Sequence, residues 1–462
     1  MLAPEELRAI DRAIVGDVLT ADHAWDNLKE MVDRFGSRFG GTDGERGGRD
    51  FLAGRLREYG LDSVSVEEFE YTGWVRGTAA LEVVAPRPMT IPCIALPYCP
   101  SGDVTADLVF LGDGAPQDYA DRAERLRGSV AMVSTRPPRF LSRGMHRGEK
   151  FGRAVAAGAA AFIWMRHEGG LLPETGSLRF DKAAEIPGIG ISFEAGAALT
   201  RLAESTGEPV RLHVHTEGAI RRMPSWNVVG EIRGRTRPEE IVVFGAHFDG
   251  HDISEGARDD GAGACVIVEA ARALAQHGEH VGRTVRFVTF ALEELGLIGA
   301  FNYVRSHAAE MDRHVFMMNM DGAGGVGDTS CVLQGWPELV GPMKAQFRDM
   351  REAVAVGDQI GVYSDMYPFA VAGVPAGTMG TRDVRPGQLG RGWGHTAADT
   401  LDKINPKGLR MDAALAARLA LRLSHLDPFP AAHRTPAEMR ALLQREGWVE
   451  ILEYEGRPIP GA

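Results

Sequence analysis

The 462-residue chain has only four cysteines, Cys93, Cys99, Cys265 and Cys331, and none forms a CxxC pair. That excludes a disulfide framework and argues against a structural zinc–thiolate site. Long apolar runs are missing as well. No stretch of about 18 apolar residues occurs, so no membrane-spanning helix is expected. The N-terminus carries Glu5, Glu6, Asp11 and Asp17 and has no basic segment leading into an apolar one. It does not read as a signal peptide, and a cytoplasmic protein is expected. Positive charge is in deficit: 51 Lys and Arg against 63 Asp and Glu leave a formal net charge of −12. With no long Lys/Arg run to offset it, neither nucleic acid nor an anionic membrane is expected as a partner. His167-Glu168 lacks the second His of an HExxH site, and there is no GxSxG, P-loop or suitably placed GxGxxG.

What is present is an ordinary globular mixture, 44% hydrophobic and 25% charged, long enough for two to four domains. Glycine is plentiful at 57 residues and has no fixed period, which reads as tight turns and strand-to-helix corners. Trp25, Leu28, Met31 and Val32 predict an amphipathic helix over 24–35. A glycine-rich turn follows, then a helix over 50–59 and an alternating strand from 62. From 77 to 216, short apolar runs broken by Gly and Pro predict a β-rich unit with few helices, one of them leading into the strand at 160–166. From Trp226 an α/β rhythm sets in. Apolar strands are predicted at 241–246, 284–292 and 315–320, and helices at 261–276, 296–310 and 406–425. After Pro430 one further helix is predicted, with Thr435, Pro436 and Glu438 as N-cap, N1 and N3. The domain reading is 1–76 with 222–427 as the main domain, 77–221 as an insertion and 428–462 as a tail. The fold class is α/β, a mixed and mostly parallel sheet flanked by helices, with an inserted β-rich domain.

Chemistry-bearing side chains gather after these strands, where open α/β sheets place their ligand crevice. His247 follows 241–246, and Asp249 is close enough to fix its tautomer. Asp259 and Asp260 precede a helix of small residues. Glu293 and Glu294 end a buried strand, and both face one site only if the chain turns there. Asp321 ends the next strand, and His395 lies in the loop before the last long helix. Each piece has a plain structural reading on its own: a core His–Asp pair, helix caps, a loop histidine. Together they are metal ligands. Asp259, Glu294 and Asp321 carry −3, so one divalent ion leaves −1 and two leave +1, which suits a bound hydroxide. A His, Asp and Glu set without thiolate favours two zinc ions, with cobalt or manganese as alternatives. Glu293 is then the spare carboxylate, suited to act as general acid/base.

The strings HFDGHDISEGARDDGAG, EELG, NMDG and GHTAADT resemble the co-catalytic di-zinc aminopeptidase family, nearest to its carboxypeptidase Q-like members. The stretch 77–220 resembles a protease-associated (PA) domain. The resemblance implies Asp259 as bridging ligand, His247 and Asp321 on one zinc, and Glu294 and His395 on the other. It further implies Glu293 as general acid/base, Asp249 behind His247 and a cis Asp259–Asp260 peptide. Tyr363, Asp365 and Glu255 are candidate substrate contacts. His251 departs from the family pattern. The expected activity is exopeptidase hydrolysis of short peptides or amino-acid amides through a metal-bridging hydroxide. A homodimer is expected from relatives, with the tail as its contact or as a lid. An N-acyl amino acid amidohydrolase, a one-zinc glutaminyl cyclase-like enzyme and a non-catalytic binding protein remain as alternatives.

Overall fold

A computed structural model describes residues 2–141, 143–381 and 392–460. The first strands are β1 (Ser63–Ala85), β2 (Met89–Ile91), β3 (Cys93–Ala95), β4 (Gly102–Phe110), β5 (Val130–Ser134), β6 (Ala161–Met165) and β7 (Gly188–Ile191). They are followed by β8 (Arg211–Ile232), β9 (Arg237–His247), β10 (Arg283–Phe290), β11 (His314–Asn319), β12 (Thr329–Leu333), β13 (Ala355–Asp358) and β14 (Ala376–Thr381). The main domain orders its strands β13-β12-β14-β11-β9-β10-β8, with β1 on β8. The centre, β14-β11-β9-β10, is parallel throughout, and β8 closes it antiparallel. Strands β9, β10 and β11 are buried on both faces, which is why they read as unbroken apolar runs rather than alternations.

The helix Ala262–Ala275 packs beneath this sheet and is buried almost all round. Its small residues let it sit between the strands and the 20-residue helix Pro406–His425. A Cβ on Gly263 would come within 2.1 Å of Asp260 Oδ2 and 2.4 Å of the Met320 carbonyl, so this position requires glycine. The helix start is thereby pressed against the loops that carry the site.

The inserted unit hangs from a ribbon rather than a linker. Strands β1 and β8 are 23 and 22 residues long and pair antiparallel from Ser63–Glu231 to Ala85–Arg211. The lower half of β8 pairs with β10, and its upper half, from Arg211 to Thr216, pairs with β4. The expected boundaries at 76/77 and 221/222 therefore cut both strands mid-length. The pairing register shifts between Arg76 and Ala79, beside the first of them.

Beyond β4, strands β5, β6 and β7 continue in parallel, with a separate apolar core on each face. The expected helix is there as Arg147–Ala156. A second, Phe193–Thr206, was not expected, although Ser192 Oγ accepts the Ala195 N–H at its start and Gly207 is left-handed at its end. The insertion is thus more helical than its sequence suggested. In the main domain, the helix placed at 50–59 begins at Asp43, inside the glycine-rich turn, with Thr42 as its N-cap.

The tail departs from expectation too. It has two helices, Pro436–Arg445 and Trp448–Glu455, not one. The first has the Thr435–Glu438 capping box. The tail buries Met439, Leu442, Leu443 and Leu452 within its own chain. Among the described residues no helix is long and apolar enough to cross a membrane.

Candidate metal centre

His247 is the last residue of β9, and its Nδ1–H donates to the Asp249 carbonyl at 3.0 Å. His395, held at φ 61°, donates its Nδ1–H to the Thr175 carbonyl at 3.2 Å. A carbonyl only accepts, so both rings carry their proton on Nδ1 and present a lone pair on Nε2. Asp259 lies between the two, with Oδ1 3.4 Å from His247 Nε2 and Oδ2 3.4 Å from His395 Nε2. Glu294 Oε2 is 3.0 Å from His395 Nε2. Asp321 accepts the Ser364 hydroxyl on Oδ2 at 2.6 Å and groups with His247. Two donor sets thus sit side by side: His247, Asp260 and Asp321 in one, His251, Glu294 and His395 in the other. Asp259 reaches across both.

Glu293 and Glu294 both face the centre because β10 stops at Phe290 and the chain turns at once, with Leu292 at φ 59°. Asp249 organises that turn. Its Oδ1 accepts the Glu293 N–H at 3.1 Å and its Oδ2 the Glu294 N–H at 3.3 Å. Its carbonyl rather than its carboxylate makes the short contact to His247, with Oδ1 3.5 Å from the ring. The Asp259–Asp260 peptide is cis. Asp399 holds this segment from the other side, accepting the Arg258 N–H at 2.7 Å and the Asp259 N–H at 3.1 Å.

The set fits metal ions. Burial, with Glu294 and Asp321 adding to it, holds the Glu293 carboxyl well above the usual range despite the pull of His247. Burial lowers His247, but Glu293, Asp249 and Asp259 outweigh it and raise its pKa. Buried acids crowded in this way need cations. The inward-facing His247 Nε2 is buried and makes no hydrogen bond, and neither does Asp260 Oδ2. Both are donor atoms awaiting a partner.

Three contributors were not legible in the sequence. His251, read as a departure from the pattern, is buried, lies 2.9 Å from Glu294 Oε2 and meets the His395 ring edge-on at 4.4 Å. Its spacing of four from His247 was the available signal. Asp260, read as a helix cap, does accept the Gly263 N–H at 3.1 Å, and it also accepts that of Gly322 at 3.2 Å. Arg38, inside the glycine-rich turn, is fully buried and donates to the carbonyls of Phe248, Glu255 and Gly256 at 2.7–2.8 Å. It pins the loop that carries Asp259, and nothing local marks it.

A small pocket opens beside the centre. Glu293, Glu294, Leu297 and His395 form one wall, and His146, Arg147, Ser177 and Phe180 of the insertion form another. Tyr363 and Arg457 complete it. The insertion also braces the centre directly. Thr175 N–H donates to the His395 carbonyl at 2.9 Å, and Ser177 Oγ to the Glu294 carbonyl at 2.6 Å.

The candidate substrate contacts fare differently. Tyr363 lines the pocket, but its hydroxyl donates to Glu455 at 2.9 Å. Asp365 is fully buried behind the centre and makes no hydrogen bond with either oxygen. Glu255 is not in the pocket lining. Its carboxylate accepts the Leu401 N–H at 2.7 Å and so joins two loops.

Residues 227–420 match the model of peptidase family M28, and residues 104–199 match that of the PA domain. Residues 227–420 thus form an M28 peptidase domain. Like other M28 members it is a metallo-exopeptidase, here with a PA domain inserted between β1 and β8. Carboxypeptidase Q of Mus musculus is 25% identical over 423 residues, covering 88% of this chain and 86% of that protein. The crystal structure of an M28 peptidase precursor from Shewanella amazonensis superposes with a TM-score of 0.78 at 25% identity, covering 94% of this chain and 99% of that one. BSAP, a zinc aminopeptidase from Bacillus subtilis, does so at 0.65 and 25%, covering 86% and 93%.

Proposed function

We propose that this M28 member is a two-zinc exopeptidase of short peptides, with Glu293 as general acid/base. One observation carries the two-metal part: the Asp259 carboxylate has one oxygen directed at each of two inward-facing imidazoles. His247 and Asp321 would hold one ion and Glu294 and His395 the other, with Asp259 shared and His251 and Asp260 as further donors in reach. The zinc aminopeptidase BSAP supports zinc as the metal. When bound, such ions polarise the scissile carbonyl and acidify a water at neutral pH.

The chain's own residues do the rest. Glu293 is not needed as a ligand in this scheme. It faces the pocket with Oε2 3.9 Å from His247 Nε2. It takes a proton from the attacking water and delivers it to the leaving nitrogen as the C–N bond breaks. Asp249 keeps Glu293 and Glu294 aimed by gripping their backbone. The PA-domain wall leaves a small pocket, which favours short substrates and a dry site.

The test is metal content per chain, measured with turnover of dipeptides and aminoacyl anilides by wild type and Glu293→Gln. About two zincs are expected. The variant should keep them and lose on the order of 10²- to 10⁴-fold in kcat. One metal and no peptide turnover would overturn the reading in favour of a cyclase-like enzyme, and a fully active variant would remove Glu293 from its role.

A further inference from the structure

We propose that Arg457 is the carboxylate-recognition residue of the pocket, holding the free α-carboxylate of a dipeptide across the scissile bond from the metal ligands. The proposal rests on the peptidase reading above and specifies its substrate.

Arg457 follows the helix Trp448–Glu455 and lines the pocket that contains Glu293 and Glu294. It is 5% exposed, yet among the described residues neither Nη1 nor Nη2 has a hydrogen-bond partner. A buried guanidinium is normally saturated, because each idle donor forfeits its hydration. Among the described residues its ion pair is with Glu455, whose Oε2 is 3.6 Å away, beyond hydrogen-bond range. Both hydrogen-bonding contacts of Glu455 are on Oε1, which accepts the Tyr363 hydroxyl at 2.9 Å and lies 3.2 Å from His146 Nδ1, whereas Oε2 faces Arg457 as a charge neighbour without a hydrogen bond among the described residues.

The rings of Phe180, Tyr367 and Tyr363 pack around the guanidinium at 4.5, 5.2 and 5.6 Å. They fix its plane without using its N–H groups. A planar fork with two idle N–H groups, fixed beside a reactive centre, matches a carboxylate. Arg147 adds positive charge on the same wall. A carboxylate has two sources, the chain terminus or an Asp/Glu side chain. The small volume favours the terminus.

The test compares kcat/KM on Leu-Leu with Leu-Leu-amide, and on Leu-Glu-amide with Leu-Gln-amide, in wild type, Arg457→Gln and Arg457→Lys. Wild type should prefer Leu-Leu over its amide by about 10- to 100-fold, as a charged hydrogen-bond pair implies. The preference should reside in KM. It should collapse in Arg457→Gln and survive in part in Arg457→Lys. If the variants fail to fold, the wild-type ratio still decides. A collapse confined to the Leu-Glu-amide pair keeps Arg457 as the carboxylate site and assigns it to a side chain. Equal wild-type rates within each pair, or preferences that survive Arg457→Gln, overturn the proposal while leaving the peptidase intact. A metal-loaded wild type inert on all four peptides overturns the peptidase reading, and this proposal falls with it.

Discussion

Arg38 commits its guanidinium to backbone carbonyls from the loop that delivers Asp259. Burial lowers its pKa to about 10, so it remains charged at neutral pH. Arg38→Leu would strip two buried carbonyls and one half-buried carbonyl of their donor, at about 1–3 kcal/mol for each buried one. The expected outcome is a large drop in Tm together with reduced metal content. A variant with unchanged Tm and full metal would show that the loop holds itself. The contrast with the ligands is instructive. His247, Asp259, Glu293, Glu294, Asp321 and His395 were legible because each sits in a short motif string at a strand end, before a helix or in a glycine-flanked loop. Arg38 and Arg457 were not, since what distinguishes them lies far away in sequence: for Arg38 the carbonyls of Phe248, Glu255 and Gly256, and for Arg457 the rings of Phe180 and Tyr363. Their own neighbours in sequence look like an ordinary turn and an ordinary tail.

Among the elements, the strands of the main domain were readable because burial on both faces makes them continuous apolar runs. The helix Asp43–Glu58 was half hidden, because Gly44, Gly47 and Gly48 look like a turn but allow close packing on Phe35 and Arg38. The second tail helix went unread for a related reason, since much of its packing is against a distant element, Arg147–Ala156 of the insertion. A Cβ on Gly152 would lie 2.0 Å from the Tyr454 carbonyl, so the two helices meet backbone to backbone. Gly152→Ala should push the tail helix outward at a cost of about 1–3 kcal/mol. Lower Tm and faster proteolysis after Gln444 are the expected readouts. Unaltered digestion and melting would mean that the interface absorbs the methyl group.

For the molecule as a whole, Glu45 links stability to pH. Burial raises its pKa to about 7, against the hydrogen bonds from Ser225 and the Gly41 N–H. The folded-state value lies above the unfolded one. Its contribution is therefore fully present below about pH 4 and is lost as pH rises through about 7. Glu45→Gln keeps a neutral side chain able to satisfy both partners. Relative to wild type, the variant should gain up to about 3 kcal/mol between pH 5 and pH 8. Urea denaturation at the two pH values checks this, and a pH-independent difference would count against it.

The β1–β8 ribbon has a mechanical consequence. An insertion joined by loops swings on a hinge, whereas one carried on two paired strands through the boundary can only twist with them. Thr175 and Ser177 tie its far side to the His395 and Glu294 carbonyls, and the Arg153–Glu450 and His146–Glu455 pairs tie it to the tail. The PA domain is therefore a torsion bar clamped at its free end. Opening it would require breaking these ties or twisting the paired ribbon.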